Sequence, residues 1–358
     1  MKHLWAGRKG NGDHDFDVVV IGAGVSGLSA ARDLVDAGNS IVVVEARDRI
    51  GGRMWTDRTS MSVAIDLGCE FIHGANASTW ELVHHLGLKT LFHDIAEEEP
   101  GSPRQRTNQA DLPPEYQNFR VVGGYDQILV PIADELPIQL DTVVRRVEHS
   151  SAGVVVHADQ RGRAVTYRAR SAVVTLPVAV LAAGDVEFSP ALPAEKVDAF
   201  AAVPQVPITK VLMEFDHPVI PADADDMVEA GVPWYVWNAS KEVPGFSGQV
   251  VGMGAEMDEA TRLLALPRER RHADLLDVLR GIAGDPRLEP VTVVEHEWAK
   301  DPFARAAFTD SDSVADDVEM VYEPDGDTLY WAGLITDQVD LSHDSGRETA
   351  SELLKRLG

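Results

Sequence analysis

The hydrophobic pattern is sharpest near the N-terminus. Val18-Val19-Val20-Ile21 is an unbroken apolar run, as expected for a strand covered on both faces in a parallel sheet. Leu28, Ala30, Ala31, Leu34 and Val35 then recur at helical spacing until Gly38-Asn39 stops them. Ile41 to Val44 gives a second buried strand, ending at Glu45. With Gly22, Gly24 and Gly27 between strand and helix, this predicts one βαβ unit of about 30 residues.

Further along, Val63 to Leu67 predicts a short strand, and Thr79 to Leu86 a helix with Ser78 as N-cap and Gly87 as stop. The run from Glu97 to Pro114 is polar and Pro-rich and reads as a loop. Val143 to His157 and Val165 to Leu176 read as strands, as do Val291 to Glu295 and Thr328 to Leu334. Arg268 to Ala283 and Arg347 to Leu357 read as helices, and the alternation in Trp234-Tyr235-Val236-Trp237 reads as a core strand. The order is α/β at both ends with mixed α+β between, which suggests two lobes sharing a discontinuous chain.

Composition narrows the function. The 358 residues are 44% hydrophobic, enough for a sizeable core. Lys plus Arg number 32 against 58 Asp plus Glu, a formal charge of −26. That balance argues against nucleic-acid and membrane-surface partners; it suits cationic ligands and, equally, plain solubility. Cys69 is the only cysteine, which excludes an internal disulfide and multi-cysteine metal sites. Met1 to Asp17 shows no apolar signal core, and the longest apolar stretch, Ser171 to Val186, is interrupted by Pro177 and Gly184. A soluble, cytoplasmic protein is the expectation.

Gly22, Gly24 and Gly27 fit G-x-G-x-x-G between strand and helix. The first permits the turn, the second lets a pyrophosphate approach the backbone, and the third lets helix and strand pack closely. The helix N-terminus adds free N–H groups and a partial positive charge. Glu45 ends the second strand, where a carboxylate can accept both ribose hydroxyls. Directly after it, Arg47, Arg49, Gly51, Gly52 and Arg53 offer a second phosphate grip. A nicotinamide cofactor has no evident need of that grip.

Several segments together resemble the flavin-containing amine oxidases. Glu45 to Arg53 (EARDRIGGR) is similar to their second FAD motif, and Asp66 to Gly74 (DLGCEFIHG) to a segment of the polyamine oxidases running past the flavin ring. Val121 to Tyr125, Leu140 to Val147, Val174 to Pro177, Phe188 to Pro190, Thr328 to Thr336 and Gly346-Arg347 resemble further family elements. The resemblance implies an α/β fold: a discontinuous Rossmann-like FAD-binding domain of the glutathione-reductase type (15–75, 120–190 and 310–358) with a second α+β substrate domain (76–119 and 191–309). It implies cofactor contacts at Gly22, Gly24, Gly27, Glu45, Arg47, Gly51, Gly52, Arg53, Gly68, Val144, Gly333 and Val339.

The same resemblance supplies catalytic candidates. Ile208 to Val211 with Glu214-Phe215-Asp216 resembles the segment whose lysine holds a water against the flavin; that lysine is Lys210. Taken alone, Lys210 is a surface lysine ending a strand. Trp298 with Asp301 to Phe308 resembles the loop carrying one wall of the aromatic cage, Phe308. His73 resembles a histidine near the substrate mouth and reads equally well as a structural, hydrogen-bonded histidine. Ala307 stands where the mitochondrial monoamine oxidases carry their flavin-tethering cysteine, so noncovalent FAD is implied, with an amine as substrate and molecular oxygen as acceptor. A homo-oligomer stays open.

Departures from the family pattern bear on activity. Leu334 replaces a glutamate, Gln338 occupies the second cage position, and Glu70 brings a charge where the family has a small residue. Only about 50 residues separate His73 from Gly123, where the family carries a longer helical insert. Two further readings therefore stand beside the amine oxidase: an FAD enzyme acting on a carbon skeleton, and a flavin-binding protein without turnover. Other motifs fail: His296-Glu297 lacks the second histidine of HExxH, His84, His85 and His93 make poor ligands, and Asp310 to Asp317 lacks the glycine of a calcium loop.

Overall fold

In a computed structural model describing residues 14–93, 96–97, 105–106, 113–222, 235–310 and 320–357, the apolar run at 18–21 lies inside a mixed sheet. The strand Phe16–Ile21 pairs in parallel with Ile41–Val44 on one side and Arg163–Val174 on the other. Among the described residues this sheet has eight strands. Seven follow the order Ile138–Gln139, Ile41–Val44, Phe16–Ile21, Arg163–Val174, Gly153–Gln160, Thr142–Ser150, Glu187–Ser189, and Leu329–Trp331 also pairs with Arg163–Val174.

Arg163–Val174 changes character halfway. Its first half pairs antiparallel with Gly153–Gln160 and keeps several residues exposed; from Ser171 on it runs parallel to its neighbours and is buried throughout. That is the difference between a solvated antiparallel face and a parallel sheet covered on both sides. The helices Val25–Asp36 and Val339–Leu357 both belong to this unit and pack on each other. Phe200 and Phe188 flank Trp331 in its core.

The chain forms two compact units: Met1–Arg53, Ile128–Gln205 and Ala299–Gly358 make the first, Met54–Gln127 and Val206–Trp298 the second. These bounds differ from the expected ones. Residues 54–75 and 120–127 fall in the second unit, because Phe71–His73 pairs with Asn118–Val121 and Thr56–Asp57 with Ile65–Asp66. Residues 191–205 and 299–309 fall in the first, where Phe200 enters the core and Asp301 holds Arg47.

The second unit is built on an antiparallel sheet ordered Tyr235–Asn238, Gln249–Glu256, Ile208–Phe215, Thr292–Glu295. Alternation divides its faces. Val211, Met213, Phe215, Val251, Met253 and Ala255 join a core with Leu263, Leu275 and Leu279 from the helices Met257–Leu264 and Arg268–Ala283. Each such fully buried side chain contributes about 1.5–3 kcal/mol by leaving water. The opposite face carries Lys210, Leu212 and Trp237, and there Gly252 lies across from Trp237. A Cβ at Gly252 would come within 2.3 Å of the indole, so the absence of a side chain makes the room that Trp237 fills.

Some local expectations are corrected. The helix at Trp80–His85 begins from Thr79, not Ser78, and the buried Thr79 hydroxyl pairs with the Tyr125 hydroxyl at 2.9 Å instead of capping. The closing helix starts at Val339, eight residues before Arg347, because Val339, His343 and Gly346 continue its buried face. Ala96–Glu97 and Gln105–Arg106 pair as short strands within the stretch expected to be loop. Trp234 and most of Asp310 to Asp317 lie outside the described residues. No helix among the described residues is long and apolar enough to cross a membrane.

Gly252→Ala is expected to lower stability by about 1–3 kcal/mol, as overpacking does, with a shift in tryptophan fluorescence. Gly281→Ala, on the exposed side of Arg268–Ala283 with nothing within 4 Å of the added carbon, should raise it by up to about 1 kcal/mol. Urea denaturation of both variants checks the contrast.

Candidate active site

In the first unit the glycine turn leads into Val25–Asp36 with Gly24 as its N-cap and no side-chain cap, so its first N–H groups have no side-chain acceptor at the cap. A Cβ at Gly27 would sit 2.1 Å from the Gly22 carbonyl oxygen, which only a glycine allows. Glu45 is buried beside this turn; one carboxylate oxygen accepts the Ala23 N–H at 2.8 Å and the other the Arg47 N–H at 2.9 Å. Burial raises its pKa, and those two backbone donors pull it back. The Glu45 backbone is fixed as well: its N–H donates to Gln139 and its carbonyl accepts from Thr142. That brings the strand holding Val144, 7% exposed, close to this acid.

Gly51 bridges to Gly24, and its N–H donates to the Ala23 carbonyl, which draws the second glycine pair onto the first turn. Gly333 N–H donates to Ser345 Oγ at 2.9 Å, and Gly333 approaches Ser26 closely. Val339 is the first residue of its helix and is buried. Gly51 and Gly333 thus lie against the residues that open Val25–Asp36.

The arginines do not act alike. Arg47 is held by Asp301 through two 2.9 Å bonds and lies over the Phe303 ring, so its fork faces a carboxylate of its own unit. Arg53 donates to the Ala307 carbonyl at 3.1 Å and Arg49 to that of Ile50. Burial, then the neighbouring Arg47 cation, pushes the Arg49 pKa down to about 10. A guanidinium disfavoured in this way marks a locality suited to an anion.

Phe308 opens the short strand Phe308–Thr309 in the first unit and is half-buried. Leu334 is fully buried in the apolar core, where a glutamate would carry a charge among valines. Gln338 precedes the last helix, its carbonyl accepting from Ser342.

The second unit gathers charge around Lys210. The ammonium donates to the carbonyls of Asp66 and Gly68, each at 2.9 Å, and to Glu70 Oε2 at 2.8 Å. Lys210 stands mid-strand with its side chain 17% exposed, not at a strand end on the surface. Glu70 Oε1 accepts from Trp237 Nε1 at 3.1 Å and faces Arg120 Nε at 2.7 Å. Arg120 is itself anchored on the carbonyls of Asn238 and Ala239. Burial alone would raise the Glu70 pKa, but the Lys210 and Arg120 cations carry it down to about 2.

Asp66 lies beside this cluster, accepting from Thr56 Oγ1 at 2.6 Å and Tyr125 N–H at 3.3 Å. It keeps some accessible surface, yet the protein around it and the Glu70 charge raise its pKa to about 7. His93, buried against the Phe71 ring, is pushed down to about 3 by burial and then by Arg120. His73 Nδ1 pairs with Asn118 Oδ1 at 2.6 Å. Gly68 serves through its carbonyl on Lys210.

Sequence reasoning had flagged Glu70 as a stray charge but missed Arg120 and took Trp237 as packing. The available signal was the arginine itself, set in the strand Asn118–Val121 that pairs with the chain just after Glu70.

The family described as flavin containing amine oxidoreductase matches residues 25–121 and 94–354. A putative flavin-containing monoamine oxidase, AofH, of Mycobacterium tuberculosis is 25% identical over 80% of this chain and 84% of its own length. A lysine-specific histone demethylase 1 homolog of Arabidopsis thaliana is 57% identical, over 17% of this chain and 4% of its own. Among solved structures, cyclohexylamine oxidase from Brevibacterium oxydans superposes with a TM-score of 0.75 at 20% identity, covering 96% of this chain and 99% of that one. At that identity the likeness concerns the mixed α/β fold.

Asp66 generates a pH prediction. Its folded pKa, about 7, lies above the unfolded 3.8, so the folded state binds the extra proton and stability falls as pH rises from about 4 to about 7. Asp66→Asn keeps an oxygen for Thr56 and Tyr125 and is expected to remove this part of the fall, whose slope is at most about 1.4 kcal/mol per pH unit. Urea midpoints of both proteins across that range provide the check.

Proposed function

The chain belongs to the flavin-containing amine oxidoreductase family and is an FAD-dependent oxidoreductase, and we propose that it oxidises a C–N bond of an amine or amino acid. The products on this reading are an imine and, with molecular oxygen as acceptor, hydrogen peroxide. Cyclohexylamine oxidase and putrescine oxidase among its structural neighbours suggest a small amine. The observation that carries the reading is the cradle of the first unit: a glycine turn closed to any Cβ at Gly27, with a buried Glu45 beside it.

The residues present fit noncovalent FAD. The N–H groups opening Val25–Asp36 would face the pyrophosphate, with Gly22, Gly24 and Gly51 giving the backbone room. Glu45 has lone pairs left after its two backbone donors and would accept ribose hydroxyls. Arg49 and Arg53, not Arg47, are the arginines suited to phosphate, and Val144 would edge the adenine. Gly52, Gly333 and Val339 complete the Rossmann-like wall. Bound FAD supplies a two-electron acceptor.

The chain's own part is binding and charge. A protonated amine has no lone pair to assist loss of a hydride, so the substrate must react as the free base. Lys210 and Arg120 place two cations in the second unit against the one carboxylate of Glu70, which favours a neutral amine over an ammonium. Phe308 is the candidate aromatic wall, and His73 a support for the strand beside Glu70. A carbon-skeleton substrate is the second reading, favoured by Lys210 having each N–H engaged within the protein.

The purified protein is expected to be yellow and to release intact FAD on acid treatment. Glu45→Ala should weaken FAD binding by about tenfold or more, by loss of charge-assisted hydrogen bonds, measured by flavin fluorescence titration of apoprotein. Anaerobic mixing with a panel of small amines should bleach the oxidised flavin band; a band that no amine bleaches refutes the oxidase.

A further inference from the structure

An ammonium has three protons to donate, and Lys210 has an acceptor for each: the Asp66 and Gly68 carbonyls and Glu70 Oε2. Trp237 lies alongside, its ring centre 5.9 Å from Nζ. The Glu70 carboxylate is also fully used, one oxygen by Lys210 and the other shared between Trp237 and Arg120. Arg120 cannot follow a moving partner, because its guanidinium is tied to the Asn238 and Ala239 carbonyls. A lysine that carries a water needs a donor to spare, and all three of these are assigned.

We propose that Glu70 is a positioning residue that locks Lys210 as a fully bonded ammonium, so that the lysine presents a fixed positive charge and takes up a water only if Glu70 releases it. The charged and titratable groups around it are Asp66, Glu70, Arg120, His93 and Lys241. With His93 neutral, the three cations Lys210, Arg120 and Lys241 outnumber the carboxylates of Glu70 and Asp66. Building on the amine-oxidising reading, the locked lysine selects the free-base form of the substrate by repelling the ammonium form. Removing the Glu70 charge frees a donor on Lys210 and makes its protonation, and so the selection, sensitive to pH.

The holoprotein labelled with 15N-lysine tests the lock directly. At neutral pH a slowly exchanging side-chain ammonium signal is expected for Lys210, absent in Lys210→Arg, which assigns it, and lost in Glu70→Gln; the buried Lys196, paired with Asp325, gives a second signal that these variants leave in place. Anaerobic flavin reduction by an amine is followed from about pH 6 to about pH 10 in parallel. The wild type should follow the ionisation of the amine together with the one step of Asp66 at about 7, whereas Glu70→Gln should gain a further inflection and depart by about tenfold at one end. Glu70→Asp, too short to span the same distance, should lose the signal as well and serves if Glu70→Gln folds poorly. A Lys210 signal that survives in the Glu70 variants, or profiles that superimpose, overturns the proposal. If no amine reduces the flavin, the oxidase reading fails, and the ammonium signal alone decides the lock.

Discussion

A carboxylate placed inside a protein must be matched by cations and donors or it does not stay ionised. Glu70 sets that demand for the second unit. Lys210 comes from one strand, Arg120 from another and Trp237 from a third, and the two cations are each held by a further contact of their own. The sheet face that receives them is cleared of side chains at Gly252 and bordered by Leu212 and Val250. Taking out one partner would leave a buried charge uncompensated, so the cluster stands or falls as a unit.

The first unit meets a different constraint, that of close approach. A ligand gripped by backbone N–H groups needs a turn without side chains, and the Gly22–Gly27 turn is tight enough that helix and strand nearly touch. The second glycine pair is tied to this turn by a backbone bond, the acid by its own carboxylate on the Ala23 N–H, and the neighbouring strand by backbone bonds to the acid. A binding surface built in that way is formed before its ligand arrives.

Much of this was legible in the sequence because the signals were local. The apolar run at 18–21, the glycine spacing and Glu45 sit within one βαβ unit, and the periodicity of Arg268–Ala283 alone gave that helix. What stayed hidden was pairing across long separations. Nothing near Arg47 announces Asp301, and nothing near Glu70 announces Arg120. Arg47 reads from its motif as a ligand-facing donor and Arg120 lies in no motif at all; the fold brings a carboxylate to each. Ser78 misled for a related reason: the next residue, Thr79, has its own hydroxyl taken by Tyr125, a partner 46 positions away.

The chain passes from one unit to the other at 53/54, 127/128, 205/206 and 298/299. Neither unit is a continuous stretch, so no single truncation isolates one of them whole. Ribosomal synthesis finishes the second unit before Leu329–Trp331 and Val339–Leu357 of the first are made. The turn at Gly22–Gly27, whose Ser26 packs against Gly333 and Gly346, therefore gains that wall only after the whole second unit has been synthesised.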